Sequence, residues 1–319
     1  MSDIAVSVQS LEKKFGAFTA VNKINFEVKR GEIFGFLGPN GAGKSTTIRM
    51  LCGIITPTSG QGRVGGFDIN REQEEIKQHI GYMSQKFSLY DDLTVEENIN
   101  FYGGIYKIPQ AKLKIRKEEI IKLADIEPFR NRLTKTLSGG WKQRLALGCA
   151  IIHEPQIIFL DEPTSGVDPI TRNNFWAIIK EMASKGVTVF VTTHYMDEAE
   201  NCNRMTLIYK GNIIAMGTPQ EMKTDFMKGD VLEITIPESE TWMERLESLS
   251  IVKEAALFGN SIHAVVPDSK EAIPVIKTLF TRGKVRDSSV VRIEPSLEDV
   301  FVSLIENYDE DNKNEPKKS

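Results

Sequence analysis

Runs of apolar residues along the chain predict an α/β core. Three short stretches are mostly apolar or β-branched: residues 32–37, 157–160 and 187–192. Such continuous runs are typical of parallel strands that are buried on both faces of a sheet. Between the second and third runs, residues 170–184 have a helical pattern, so this part of the chain predicts a β-α-β crossover.

Alternating and helical patterns predict the elements around this core. Two alternating stretches near the N-terminus predict strands, over residues 4–8 and 24–28. Residues 94–106 place apolar side chains on one helical face, and Thr94 and Glu97 suit a capping box at the helix start. Mostly helical sequence continues from there, which predicts a helical subdomain over about 94–152.

The pattern changes near residue 222, where we expect a domain boundary. Beyond it the order is β-α-β-β-α-β, with strands over 232–236, 255–258, 262–266 and 290–293 and helices over 241–249 and 270–280. That order is typical of a ferredoxin-like α+β domain. An amphipathic helix follows, and the last residues are polar without periodicity. The predicted division is a first domain over 1–222, a second over 223–306 and a disordered tail over 307–319.

A glycine-rich segment directly after the first apolar run carries the clearest chemistry. It reads Gly-Pro-Asn-Gly-Ala-Gly-Lys-Ser-Thr and matches the phosphate-binding pattern G-x-x-x-x-G-K-[ST]. Its glycines allow backbone N–H groups to surround nucleotide phosphates. Lys44 suits the β- and γ-phosphates, and the hydroxyl of Ser45 suits Mg²⁺. The predicted nucleotide-binding residues here are Gly38, Pro39, Asn40, Gly41, Ala42, Gly43, Lys44, Ser45 and Thr46.

Two acidic residues end the second apolar run. Asp161 and Glu162 stand where a parallel sheet delivers its active-site groups. Asp161 suits coordination of Mg²⁺ through water, and Glu162 suits activation of the water that attacks a γ-phosphate. The alternative is that both carboxylates belong to an ordinary solvated strand end.

A second anion site is predicted within the helical subdomain. Residues 137–144 read Leu-Ser-Gly-Gly-Trp-Lys-Gln-Arg, in which Ser138 suits a helix N-cap. Gly139 and Gly140 would expose N–H groups at the positive end of that helix. One chain does not need two phosphate sites for one nucleotide, but a second copy related by a two-fold axis would bring this site to the first copy's γ-phosphate. An ordinary capped helix is the alternative.

The composition narrows the possible partners. The 40 basic and 44 acidic residues give a formal net charge of −4, without the basic excess of a nucleic-acid binder, so we expect no nucleic-acid partner. The three cysteines show no metal-ligand spacing and suit core positions in a reducing compartment. No apolar run approaches the ~20 residues that cross a bilayer. Work at a membrane would therefore require a separate membrane subunit.

Together these motifs resemble those of the nucleotide-binding subunits of ATP-binding-cassette (ABC) transporters, over about residues 4–222. The segment 38–46 is similar to that family's Walker A motif, 157–162 to its Walker B motif and 137–144 to its signature. Trp141 departs from the pattern, because family members more often have glutamine, glutamate or methionine there. The resemblance implies an α/β P-loop NTPase cassette with a mixed sheet core, an antiparallel β edge and a helical subdomain.

The same resemblance implies roles for further residues. Gln85 matches the Q-loop glutamine, Asp168 the D-loop across the dimer, and His194 the switch histidine at the γ-phosphate. Phe15 suits the aromatic residue that stacks on adenine, although plain packing is equally possible. The implied ligands are ATP and Mg²⁺, with Lys44, Glu162 and His194 as catalytic residues, Ser45, Gln85 and Asp161 at the metal, and Ser138, Gly139, Gly140 and Asp168 contributed across the dimer.

Two other segments narrow the resemblance. Residues 192–200 and 295–301 are similar to those of bacterial drug, sodium and lipid exporter ATPases, including the daunorubicin-resistance type, which carry an extra C-terminal domain. This implies an ATP-hydrolysing, energy-coupling subunit that forms a head-to-tail homodimer or heterodimer. It would bind a separate multi-span permease at the cytoplasmic, inner face of the cell membrane. Phe87, Leu89 and Tyr90 suit the docking surface, or alternatively pack beneath the helix at 94–106.

Other classes fit the motifs less well. A soluble ABC ATPase acting on ribosomes, DNA or cofactor assembly is the main alternative, but the interval between Ser45 and Leu137 lacks sustained heptads and the chain carries one cassette. A kinase-like phosphotransferase has no evident acceptor site and leaves residues 137–144 and His194 unexplained.

Overall fold

The computed structural model describes residues 3–283, 285 and 287–313. The chain forms two compact units, Met1–Met216 and Gly217–Ser319, so the division lies a few residues before the boundary expected at residue 222. Each unit has a hydrophobic core of its own.

An antiparallel sheet forms one edge of the first unit. Its strands are β1 (Ile4–Phe15), β2 (Phe18–Lys29), β4 (Ser59–Val64) and β5 (Phe67–Asp68). They occur in the order β2-β1-β4-β5. β1 pairs with both β2 and β4 in antiparallel register. β1 and β2 are longer than the predicted strands because register shifts bend the pair without ending it.

A six-stranded sheet forms the centre of the same unit. Its strands are β3 (Ile33–Leu37), β6 (Ile80–Met83), β7 (Ile157–Asp161), β8 (Thr188–Thr193), β9 (Arg204–Tyr209) and β10 (Asn212–Gly217). They occur in the order β10-β9-β3-β8-β7-β6. β3, β7 and β8 are buried at every position, as their continuous apolar runs predict. β3 pairs with β8, and β8 with β7, in parallel register. Their carboxyl ends therefore meet at one edge of the sheet.

Phenylalanine rings join the two sheets. Phe26 of β2 lies 5.8 Å from Phe34 of β3 between ring centroids, and Phe34 lies 5.6 Å from Phe190 of β8. Phe159 of β7 extends the cluster, at 5.4 Å from Phe190. Because burial of one such side chain contributes roughly 1.5–3 kcal/mol, this cluster holds the central strands in place beneath the loops that follow them.

The helices of the first unit surround the central sheet. They are α1 (Lys44–Leu51), α2 (Gln73–His79), α3 (Val95–Ile105), α4 (Gln110–Leu123), α5 (Gly139–Ile151), α6 (Pro169–Ser184) and α7 (Met196–Ala199), with short 3₁₀ turns at Glu127–Phe129 and Thr134–Thr136. The predicted capping box is confirmed, because Thr94 Oγ1 accepts from the Glu97 N–H and Glu97 Oε2 accepts from the Thr94 N–H. α3, α4 and α5 form the helical subdomain.

The second unit has the predicted ferredoxin-like order. Its elements are α8 (Pro219–Glu221), a π-helical turn (Met222–Phe226), β11 (Asp230–Thr235), α9 (Ser239–Glu247), β12 (Glu254–Phe258), β13 (Ser261–Val266), α10 (Ser269–Arg282), β14 (Ser289–Ile293) and α11 (Leu297–Lys313). The strand order is β12-β13-β11-β14, and every pair is antiparallel. Alternate residues of these strands, among them Leu232, Ile234 and Ile262, pack with Ile276 and Phe280 of α10 into one core.

The last helix is longer than predicted. The expected disordered tail is wrong for residues 307–313, which continue α11, and residues 314–319 lie outside the described part of the chain. The helix is started by Ser296, whose hydroxyl accepts from the Asp299 N–H at 3.1 Å. Once started, a helix adds residues at little cost, so polar residues on a solvated helix need no apolar periodicity.

A carboxyl group in the second unit has a raised pKa. Burial is the main cause that raises the pKa of Glu254 to about 7, and the carboxyl group of Glu306 and the charge of Glu310 act in the same direction. A raised folded-state pKa means that the folded protein holds this proton more tightly than the unfolded chain does. The contribution to stability is therefore present below about pH 4.5 and is lost as the pH rises through 7.

We expect Glu254→Gln to raise the melting temperature at pH 8 and to leave it unchanged near pH 4.5. Because Glu254 is only half-buried, we discount for solvent screening and expect about 1 kcal/mol, or about 4–8 °C for a domain of this size. Thermal unfolding between pH 4.5 and 8 measures this, with the exposed Glu244→Gln as control. An equal change at both pH values would contradict the account.

Candidate nucleotide site

The loop after β3 is shaped by glycines at two close approaches. Gly43 has a φ of +114°, and a Cβ there would lie 2.5 Å from the backbone oxygen of Ala20. A Cβ on Gly38 would lie 2.2 Å from the backbone oxygen of Ile208. Any larger residue would move backbone atoms on the neighbouring strands, so the loop depends on glycine at both positions.

Lys44 closes the base of this loop. Its side chain is buried, and its Nζ donates to the carbonyl oxygens of Gly38 at 2.7 Å and Pro39 at 3.1 Å. The same nitrogen lies 3.1 Å from Glu162 Oε1. A buried ammonium needs such compensation, because an unpaired charge removed from water is strongly destabilising.

Glu162 lies at the centre of the site. Its Oε2 accepts from Gln85 Nε2 at 2.9 Å and lies 3.5 Å from His194 Nδ1, while its Oε1 faces Lys44. The backbone of Glu162 has a φ of +48°, which is uncommon for a residue other than glycine. Its N–H donates to both the backbone oxygen and the hydroxyl of Thr192 on β8, and these bonds hold the unusual conformation.

Asp161 offers an unused oxygen beside the loop. Its Oδ1 accepts from the hydroxyls of Ser45 and Thr192, each at 2.9 Å. Its buried Oδ2 has no hydrogen-bond partner among the described residues. Burial raises the pKa of Asp161, and the two hydroxyl bonds oppose that shift. A cation placed at Oδ2 would satisfy the buried oxygen and favour the carboxylate form.

These donors fit a magnesium ion. The Ser45 hydroxyl, the Asp161 carboxylate and the amide oxygen of Gln85 are hard oxygen donors of the kind that Mg²⁺ prefers. The described residues contain no group of three or more histidine, cysteine, aspartate or glutamate side chains that would form a complete metal cage. Proteins usually hold Mg²⁺ by one or two carboxylates together with waters and substrate phosphates, and Asp161 supplies one such carboxylate here.

A cavity of about 410 Å³ joins the loop to two aromatic rings. Phe15 and Phe18 line one part of it, and Lys44, Ser45 and Glu162 line another. The two rings belong to residues paired across β1 and β2, and they are 52% and 62% exposed, so neither is core packing. The cavity therefore combines apolar faces for a flat base with a cationic loop for phosphates.

The predicted signature begins α5. Ser138 is the N-cap of α5, as predicted, and its side chain forms no capping hydrogen bond. Ser138 and Gly139 are both exposed. Trp141, which departs from the family pattern, packs within the helical subdomain, where its ring centroid lies 4.5 Å from that of Phe129. The N-terminus of α5 thus keeps an exposed hydroxyl and exposed backbone.

Asp168 has a local structural role. It is the N-cap of α6, and it accepts from the Thr171 N–H at 3.0 Å and from the Thr171 hydroxyl at 2.6 Å. These hydrogen bonds lower the pKa of Asp168. Its action across a dimer stays a prediction.

Comparison with known proteins places this arrangement in a family. Residues 21–165 match the family model described as ABC transporter, and residues 217–305 match the model for the C-terminal domain of DrrA1-3-like ATP-binding proteins. The linearmycin resistance ATP-binding protein LnrL of Bacillus subtilis is 33% identical, over 94% of this chain and 97% of its own length. This chain belongs to the ABC transporter family of ATP-binding proteins.

Other members of the ABC family match parts of the chain. The probable multidrug ABC transporter ATP-binding protein YbhF of Escherichia coli is 52% identical over 69% of this chain, and the matched region spans only 38% of YbhF. The solved dimer of the cassette MJ0796 in a post-hydrolysis state with ADP and Pi covers 67% of this chain, with 28% identity and a TM-score of 0.62. The expected resemblance and fold class are thus confirmed.

The ABC motifs fall into two groups in this structure. Six predicted residues meet at the carboxyl ends of β3, β7 and β8: Lys44, Ser45, Gln85, Asp161, Glu162 and His194. The four residues predicted to act across the dimer do not line the cavity: Ser138, Gly139, Gly140 and Asp168. Five other predicted residues are also outside its lining: Gly38, Pro39, Ala42, Asp161 and His194. Sequence reasoning missed Phe18, although its place on the turn opposite Phe15 was a usable signal. It also missed Thr192, whose position opposite Asp161 depends on the pairing of β7 with β8.

We expect Glu162→Gln to bind ATP but to hydrolyse it at least about a hundredfold more slowly, because loss of a general base typically costs 10²–10⁴ in rate. Glutamine keeps the shape of the side chain, so the strand end should stay folded. Phosphate release with saturating ATP and Mg²⁺ measures the rate, with Glu181→Gln on the exposed face of α6 as control. Near-normal turnover would remove Glu162 from the catalytic role.

Proposed function

We propose that this chain is the ATP-hydrolysing, energy-coupling subunit of an ABC exporter, acting as a head-to-tail dimer with a separate membrane permease. The observation that carries the proposal is the group of side chains that the Glu162 carboxylate contacts. Glu162 faces Lys44, Gln85 and His194 at the edge of the sheet where the phosphate-binding loop begins.

ATP binding exchanges the partners of Lys44. The triphosphate enters the loop at the N-terminus of α1, where backbone N–H groups and the helix dipole favour an anion. The ammonium of Lys44 then replaces the carbonyls of Gly38 and Pro39 and the Glu162 carboxylate with β- and γ-phosphate oxygens. The rings of Phe15 and Phe18 supply faces on which adenine stacks.

Hydrolysis then uses the released carboxylate. Glu162 accepts a proton from a water whose oxygen bonds to the γ-phosphorus, while the bond to the β–γ bridging oxygen breaks and ADP leaves. Gln85 and His194 orient Glu162 and the water. Mg²⁺, held by Ser45, Asp161 and Gln85, would supply positive charge at the phosphate oxygens.

The exposed N-terminus of α5 supports the dimer. Its N–H groups at Gly139 and Gly140 and the Ser138 hydroxyl suit a γ-phosphate, yet these residues do not line the cavity of their own chain. A two-fold arrangement lets each chain complete the other's site. Dimeric solved relatives such as MJ0796 support this arrangement.

The relatives support export through a membrane partner. LnrL is named for linearmycin resistance, and YbhF is named a probable multidrug transporter protein. No helix in the described part of this chain is long and apolar enough to cross a membrane. We propose that the subunit lies in the cytoplasm, bound to the inner face of the membrane through the permease.

Of the three residues predicted to form a docking surface after Gln85, only Tyr90 is exposed. Phe87 and Leu89 pack against the core of the first unit, which supports the packing alternative for both residues. Tyr90 is exposed and lies 4.5 Å from the ring of the exposed Phe101. We propose this aromatic pair as the permease contact. A soluble ABC ATPase would instead copurify without any polytopic membrane protein.

We expect Ser138→Arg to fold and bind ATP, yet to stay monomeric and lose at least about a hundredfold in hydrolysis, because a bulky cation blocks the α5 N-terminus. Mixing it with Lys44→Ala should restore activity at one of the two sites, where an intact loop meets an intact signature. Sedimentation and phosphate release measure both effects, with the exposed Ser184→Arg as control. Full activity of Ser138→Arg alone would refute the shared site.

A further inference from the structure

A buried carboxylate outside the nucleotide cavity connects the two chain segments that follow Glu162 and His194. Glu198 lies on α7 and is 1% exposed. Its Oε1 accepts a hydrogen bond from the hydroxyl of Thr164, two residues beyond Glu162. The same oxygen lies 3.4 Å from Nε of Arg172 on the first turns of α6.

Arg172 extends this connection to the histidine. Its Nη1 lies 3.2 Å from Asp197 Oδ2, so the guanidinium contacts both neighbouring acids of α7. The guanidinium also lies over the ring of Tyr195, at 4.1 Å from the centroid. The Tyr195 ring in turn lies 4.1 Å from the ring of His194. An unbroken series of contacts therefore runs from the turn after Glu162 to the predicted switch histidine.

We propose that Glu198 is a positioning residue for ATP hydrolysis, which acts with Thr164 and Arg172 to fix His194 relative to Glu162. The inference rests on the roles proposed above for Glu162 and His194. It adds a group that none of the nucleotide motifs contains and that does not touch the nucleotide cavity.

The turn after Glu162 explains why the anchor is needed. The Ser165 N–H donates to the Glu162 carbonyl at 3.2 Å, and the Val167 N–H donates to the Thr164 carbonyl at 3.4 Å. Glu162 keeps its positive φ only while its surroundings hold it. Thr192 holds the strand side of Glu162, and the Thr164–Glu198 hydrogen bond holds the side toward α6.

Burial makes the Glu198 carboxylate dependent on the few groups that contact it. A carboxylate that is 1% exposed requires its partners, because removal of one partner leaves an uncompensated buried charge. Among the described residues, Glu198 Oε2 and Arg172 Nε have no hydrogen-bond partner, so the Thr164 hydroxyl supplies the hydrogen bond that fixes the carboxylate. Loss of that single hydroxyl should therefore allow α7 to change its orientation, and it removes no group from the cavity.

A pair of substitutions at Thr164 tests the proposal. Valine has the shape of threonine without the hydroxyl, and serine retains the hydroxyl. We expect Thr164→Val to lower kcat about tenfold with a KM for ATP within about twofold of the natural protein, and Thr164→Ser to restore kcat to within about threefold. Thermal unfolding of both variants reports their folding. An unchanged kcat in Thr164→Val, or a change confined to KM or melting temperature, overturns the proposal.

A double-mutant cycle with His194→Ala separates this proposal from the proposed function. If Thr164 and Glu198 act through His194, Thr164→Val should have almost no further effect on single-turnover hydrolysis once the histidine is absent. If His194→Ala is slow and Thr164→Val still costs about tenfold in it, the positioning proposal fails and the proposed function stands. If His194→Ala alone keeps full turnover, the proposed role of His194 fails, and the positioning proposal fails with it.

Discussion

The buried ion pair between Lys44 and Glu162 is the interaction around which the site is organised. Its two atoms lie 3.1 Å apart, and neither side chain is open to water. Such a pair repays the loss of hydration only with good geometry and further hydrogen bonds. Here those bonds come from the carbonyls of Gly38 and Pro39 and from the amide of Gln85. Phosphate groups can therefore separate the pair, which leaves the Lys44 cation to bind them and the Glu162 carboxylate to act as a base.

The fold places the two charges together because the sheet is parallel at its centre. β3 carries the loop with Lys44, β7 ends at Glu162, and β8 lies between these strands and leads to His194. The phenylalanine cluster beneath them fixes the strand positions, and the Thr192 side chain ties the ends of β7 and β8 through Asp161. The positions of Lys44 and Glu162 are thus held from below by packing and at the edge of the sheet by polar contacts.

Features that depend on one strand, one helix or one loop were predictable from sequence. The apolar runs at 157–160 and 187–192 are continuous because both faces of β7 and β8 are buried. The loop that contains Lys44 is recognisable because its residues are consecutive in the sequence. Features that depend on tertiary contact were not. Phe18, Thr192 and Glu198 act through residues far along the chain or across a turn, and no spacing in the sequence connects Glu198 with Thr164 or Arg172. The length of α11 was missed because helix propagation needs no apolar pattern.

ATP must displace Glu162 from Lys44 in order to bind, and calorimetric titration with ATP in EDTA, where hydrolysis is absent, measures this competition. Removal of the competing negative charge in Glu162→Gln should tighten ATP binding about tenfold relative to the natural protein. The same titration on Lys44→Ala should show much weaker binding, because the cation that holds the phosphates is gone. Equal ATP affinity in Glu162→Gln and the natural protein would show that Glu162 does not compete with ATP for Lys44.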